Sequence, residues 1–246
     1  MKISICIEMV LPGKDDAQKL RDLKGIGCGA FEFWSWWGRN MAVLKQAADE
    51  TGLACAAMCT RFTSLNEPGK RDEYIQGLKE SIPVAKSLGC KTLISQVGND
   101  TGAEREYQRA SIAAGLKQCA PILEEAGITL AAEPLNTKID HKGYYLWSSA
   151  EGFDIIREVG SPNVKLLYDI YHQQIMEGNI LNTISANIDL IGHIHTANLP
   201  GRHELDLGEL NYPYIFKMLD EYGYAGYVGF EYRPIGDALE SIKRFL

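Results

Sequence analysis

Four side chains in the second half of this sequence could share a cation. Glu133 stands in AEPLNT (132–137) and Asp169 in LLYDIYHQQIMEGN (166–179). His195 stands in IGHIHTANLPGRHELDLGELNY (191–212) and Glu231 in YAGYVGFEYRP (224–234). Each follows a short apolar run of the kind that makes a buried strand. Three carboxylates and an imidazole form a hard oxygen and nitrogen donor set, suited to Mn²⁺, Mg²⁺, Co²⁺ or Zn²⁺. Brought together without a cation, the carboxylates would repel and raise one another's pKa values. A lone acid at a strand end is more often a helix cap or a salt-bridge partner. The same position on four successive strands favours a shared ligand set.

These residues need a frame that holds strand ends side by side. Eight β-rich runs recur along the chain: 2–10, 30–34, 53–59, 91–97, 128–135, 164–172, 190–198 and 226–234. Between them the apolar spacing turns helical, as at Tyr74, Leu78, Ile82, Ala85 and Leu88, or Ile112, Leu116, Cys119 and Leu123. Residues 177–188 carry the weakest helical pattern. Glycines such as Gly52, Gly127 and Gly160 stand where helices should stop. Strands apolar on both faces suit a parallel sheet covered by helices. Eight such units in 246 residues predict a single (β/α)8 TIM barrel over 1–246. An open doubly wound sheet is the alternative, but no GxGxxG loop follows the first strand. In a barrel, chemistry sits at the C-terminal strand ends. Period-two alternation puts Thr129, Ala131 and Glu133 on one strand face, and Gly229 and Glu231 on another. His193 shares a face with His195, one layer deeper, and reads as a core histidine.

Composition narrows the class. A net charge of −7 and the lack of a Lys/Arg run argue against a nucleic-acid partner. No apolar run is long enough for a membrane span, and the start lacks a signal-peptide pattern, so cytoplasmic residence is expected. The six cysteines form no CxxC pair and read as reduced core residues. Cys59 is placed near a strand end.

The four quoted blocks, in this order and spacing, resemble the hydroxypyruvate isomerase family within the xylose-isomerase-like barrel superfamily. The likeness covers nearly the whole chain. It implies that Glu133, Asp169, His195 and Glu231 bind the metal. It also implies that Glu133 and Glu231 move protons, and that His172 and Arg202 contact substrate oxygens. Hydroxypyruvate isomerases often carry Gln where this chain has His195. Histidine there is typical of the related ketose 3-epimerases.

The implied activity is isomerisation of a small hydroxy-carbonyl compound through an enediolate, with hydroxypyruvate, tartronate semialdehyde or a 2-oxo-tetronate as substrate. A ketose 3-epimerase and an inosose-type dehydratase begin with the same proton abstraction and stay open. An apurinic endonuclease would need more histidines and a basic groove. A non-catalytic binding protein is disfavoured because both Glu133 and Glu231 are present. Arg202 could grip a substrate carboxylate or simply pair with Glu204 or Glu209. Glu8, Trp34, Gln96 and Asn136 are further candidate substrate contacts. His141 either covers the site or is exposed. Trp34, Trp36 and Trp37 read equally as a substrate wall or as an interface patch, the latter compatible with a homo-oligomer.

Overall fold

The computed structural model describes residues 1–246. Eight parallel strands close into a barrel in chain order. They are β1 (Lys2–Cys6), β2 (Ala30–Phe33), β3 (Ala54–Cys59), β4 (Thr92–Ser95), β5 (Thr129–Ala132), β6 (Val164–Asp169), β7 (Ile191–Thr196) and β8 (Tyr227–Phe230). The helices are α1 (Asp16–Gly25), α2 (Met41–Thr51), α3 (Arg71–Ser87), α4 (Arg105–Ala126), α5 (Ser149–Val159), α6 (Ile170–Met176), α7 (Ile180–Asn187), α8 (Tyr212–Glu221) and α9 (Ala238–Lys243). All eight expected strands form, and the two most periodic helical segments are α3 and α4. None of these helices is long and apolar enough to cross a membrane.

Several strands are shorter than their apolar runs. The run 164–172 ends as a strand at Asp169, because the Asp169 carboxylate accepts the His172 backbone N–H at 3.0 Å and caps α6. A side-chain acceptor at this position starts a helix within one residue. The weakly patterned stretch 177–188 is accordingly a second short helix, α7, after an earlier one.

Alternation divides the strand residues between two cores. Met58, Leu93, Leu130, Leu166 and Ile194 pack outward into the large cluster under the helices. Their neighbours Ala57, Cys59, Ile94, Ala131 and Leu167 form a separate small cluster inside the barrel. The same alternation turns Glu32, His193 and His195 inward, since Phe31, Phe33 and Ile194 belong to the outer core. One side of the lumen is therefore apolar and the other strongly polar. All six cysteines are free and buried.

Candidate active site

Strand register brings the site together. Asp169 on β6 pairs with His195 on β7, and His195 pairs with Gly229 on β8. Glu133 and Glu231 each lie one residue past their strand. Their backbone N–H groups still donate along the ladder, to Ser95 at 2.9 Å and Thr196 at 3.0 Å. Ligand atoms of Glu133, Asp169, His195 and Glu231 all lie within 4.8 Å of one another, and all four residues are buried. His195 Nδ1 faces Glu231 Oε2 at 3.3 Å and Glu133 Oε1 at 3.6 Å, yet makes no hydrogen bond. A buried, partnerless ring nitrogen aimed among three carboxylates is a donor set that fits a hard divalent cation.

Asp169 divides its two oxygens. One caps α6, while Oδ2 lies 3.5 Å from Arg202 and 3.4 Å from His172 Nε2. Burial raises its pKa, and Arg202 and His195 oppose that. Glu231 is held more firmly. Arg202 pairs with its carboxylate and Trp34 Nε1 donates to it at 2.6 Å. Burial would raise the Glu231 pKa, but His195 and Arg202 outweigh it and keep the group ionised. Glu133 is less restrained, with Gln96 Nε2 at 3.4 Å.

Arg202 has a left-handed backbone at φ 61°, a conformation a non-glycine residue adopts at some cost. The turn swings its guanidinium into the barrel mouth, over the Tyr171 ring at 5.1 Å. The loop salt bridge with Glu204 or Glu209 does not form. Glu204 instead accepts backbone N–H groups of Ile235 and Gly236.

These residues floor a cavity of about 550 Å³ at the C-terminal mouth of the barrel. Glu133, His195 and Glu231 line it, as do His172, Arg202, Trp34 and Gln96 among the expected substrate contacts. Two expected contacts lie elsewhere. Glu8 does not line the cavity; its carboxylate is drawn into an ion pair with Arg39. Asn136 is fully buried behind it. Its Oδ1 accepts the Ile139 and Asp140 N–H groups at 3.0 Å, so its Nδ2 must donate, to Asp140 and to His172 Nδ1 at 2.7 Å. That bond makes Nδ1 an acceptor and leaves the proton on Nε2. Burial, and then Arg202, hold the His172 imidazole down at about 3, so it is neutral.

His141 lines the cavity, edge-on to His172 with ring centroids 5.2 Å apart. The tryptophans separate. Trp34 enters the site, while Trp36 and Trp37 do not line the cavity; they pack edge-to-face, with Trp37 against the cavity-lining Phe62 and the Arg61 guanidinium over Trp36. Cys59 ends β3 and lines the cavity as a buried thiol.

Two residues escaped the sequence reading. Glu32 is 2% exposed inside the barrel, where His193 Nε2 and Ser4 Oγ donate to it. Its signal was present in AFEFW, a lone acid between phenylalanines in an otherwise apolar strand. Arg233 lines the cavity and its guanidinium has no protein partner within salt-bridge range, unlike Arg202. Only the closed barrel reveals that the residue after Tyr232 faces the opening.

Closed barrel and acid-rich mouth together define a xylose isomerase-like TIM barrel, and the profile of that family matches residues 20–246. Hydroxypyruvate isomerase of Escherichia coli is 36% identical over 79% of this chain and 71% of its own length. The 2-oxo-tetronate isomerase of Cupriavidus necator is 34% identical over 93% and 82%. Among vertebrate relatives the match spans from 66% to 89% of their length. AP endonuclease, family 2, from Brucella melitensis superposes with a TM-score of 0.94 over 99% of this chain and 97% of that one, at 27% identity. The chain belongs to the hydroxypyruvate isomerase family, a family of isomerases within this class of barrels.

Proposed function

We propose that this chain is a metal-dependent isomerase of small hydroxy-carbonyl acids of the hydroxypyruvate or 2-oxo-tetronate type. The observation that carries the reading is the convergence of Glu133 Oε1 and Glu231 Oε2 on one small space around His195 Nδ1, at the floor of the cavity. Glu133, Asp169, His195 and Glu231 would hold the cation. A bound Mn²⁺, Mg²⁺, Co²⁺ or Zn²⁺ would supply Lewis acidity toward oxygens on adjacent substrate carbons.

The protein's own groups account for the proton movements. One carboxylate of the Glu133/Glu231 pair takes the proton from the carbon that bears the hydroxyl beside the carbonyl. The C–H electron pair becomes the carbon–carbon double bond of an enediolate, and the carbonyl electrons move onto oxygen. The proton returns to the former carbonyl carbon. The neighbouring hydroxyl gives up its proton as its own carbonyl forms, and the former carbonyl oxygen takes a proton to become the new hydroxyl, so atoms and charge balance. His172, with its proton fixed on Nε2 by Asn136, donates to the developing oxyanion. Arg202 keeps Glu231 ionised. Arg233, the cavity guanidinium without a protein partner, takes the substrate carboxylate.

A second reading, a ketose 3-epimerase, is favoured by the histidine at position 195. The test is deuterium exchange in D₂O, read by NMR, with hydroxypyruvate, tartronate semialdehyde, 2-oxo-tetronates, tagatose, fructose, psicose and erythrulose. Metal-dependent exchange and product are expected with the acids. Glu133→Gln and Glu231→Gln should each lose about 10²–10⁴-fold in rate. Normal turnover in either variant refutes the proton-moving pair. Exchange confined to neutral ketoses replaces the acid isomerase with the epimerase.

A further inference from the structure

The polar cluster in the lumen extends below the cavity in a way the proton-moving chemistry does not use. Glu32 lies beneath His195, on the far side from the substrate space. Its two oxygens face different partners. Oε2 accepts from Ser4 Oγ at 2.8 Å and from His193 Nε2 at 2.9 Å. Oε1 lies 2.9 Å from His195 Nε2, within reach of that ring nitrogen though off the line of a straight hydrogen bond. His193 and His195 stand edge-to-face with centroids 4.9 Å apart, which prevents either ring from swinging freely. Room for the arrangement comes from the neighbouring strand. A Cβ on Gly229 would lie 2.5 Å from Glu32 Oε1 and 2.7 Å from His195 Cδ2.

We propose that Glu32 is a positioning residue that holds His195 with Nε2 turned down into the barrel and Nδ1 turned up among Glu133, Asp169 and Glu231. Ser4 and His193 hold Glu32 itself, and Gly229 leaves the space for the pair. A carboxylate on one imidazole nitrogen keeps the proton there and leaves the other nitrogen free as a ligand. The buried location makes the effect strong, because no water can substitute for the carboxylate. Glu32 touches neither the cavity nor the reacting atoms. Its effect is on the cation affinity and ring state of His195. The inference rests on the proposed metal centre and adds the residue that orients it.

The test uses the full chain and Co²⁺ alone as probe. Glu32→Gln keeps the shape and removes the charge. Its Co²⁺ affinity, titrated against a chelator, should fall about 10–100-fold. The visible Co²⁺ spectrum should change as His195 leaves or turns. Glu32→Asp, which keeps the charge, should recover part of the affinity. Melting of each metal-free variant controls for a purely structural role. In ¹⁵N-histidine spectra of metal-free protein, the His195 Nε2 signal should shift in Glu32→Gln, with His172 unchanged. Where Glu32→Gln misfolds, Gly229→Ala gives a second route to the same loss, and Ser4→Ala a milder one. Affinity within about twofold of wild type, together with an unmoved His195 signal, overturns the proposal. Absence of Co²⁺ binding in the wild type would instead overturn the metal centre, and the histidine signal would still report on Glu32.

Discussion

Replacing Arg202 with leucine should cost this protein several kcal/mol of stability, about 3–5. Arg202 is 5% exposed, and its guanidinium pairs with two buried carboxylates, Glu231 and, at 3.5 Å, Asp169. Its Nε also donates to the Glu231 carbonyl at 3.2 Å. Leucine fills the space but leaves two acids facing each other with no fixed cation. Removing one partner of a buried ion pair costs about 3–5 kcal/mol. For a domain of this size that corresponds to a fall in Tm of about 6–20 °C. The left-handed backbone at position 202 is equally unfavourable for either residue, so it drops out of the difference. The assay is calorimetric or circular-dichroism melting of chelator-treated wild type and variant from pH 7 to pH 3. The sign of the pH dependence follows from Glu231. Its folded pKa lies below the ordinary 4.5, so its stabilising contribution is full above that value and is lost as pH falls toward the folded one. The variant keeps the part of that contribution that comes from His195 and Trp34 and loses the part that comes from Arg202. The deficit should be widest at pH 7 and should narrow below about pH 4.5. A Tm within about 3 °C of wild type at pH 7, or a deficit that does not narrow on acidification, refutes the ion-pair reasoning.

Asp169→Asn keeps an oxygen to cap α6, whereas Asp169→Ala loses it. The metal-free alanine variant should be less stable by about 1 kcal/mol in urea titrations, while elemental analysis after loading with Mn²⁺ should find less metal in both variants than in wild type. Equal stability would remove the cap from the account of Asp169. His172 stays neutral in the fold down to about 3, while the unfolded chain takes a proton below about 6.5. Stability from this residue is therefore complete above 6.5 and declines as pH falls from there toward 3. Melting of metal-free His172→Gln should lose up to about 1.4 kcal/mol per pH unit of the wild-type slope between pH 6.5 and 5; parallel slopes would refute a buried neutral imidazole. Duplex DNA with an abasic site should stay intact with metal-loaded protein, as the net charge of −7 predicts; nicking on a gel would reinstate the endonuclease reading.

Much of this protein is determined by the chain read as a line of residues. Apolar runs separated by helical periods call for a parallel sheet, because parallel strands can bury both faces only when helices cover them, and the count of eight units points to a barrel. Acids past the ends of β5 and β8, and Asp169 and His195 at the ends of β6 and β7, mark the candidate active face by position alone. Tertiary structure decided what each of them touches. Glu8 also ends a strand run, yet Arg39, far along the chain, captures it. Asn136 has a polar side chain of the right kind, but two backbone N–H groups fix its oxygen and turn its nitrogen toward His172. Trp34 differs from Trp36 and Trp37 only by facing inward at the end of β2. Glu32 is visible in sequence as a lone acid among aromatics, but its partners are 28 and 161 residues away. Periodicity reports which face of a strand a residue occupies, since that is a local property of the backbone. The pairing of charges across the lumen depends on barrel closure and register, which bring residues distant in sequence to within 3 Å of one another.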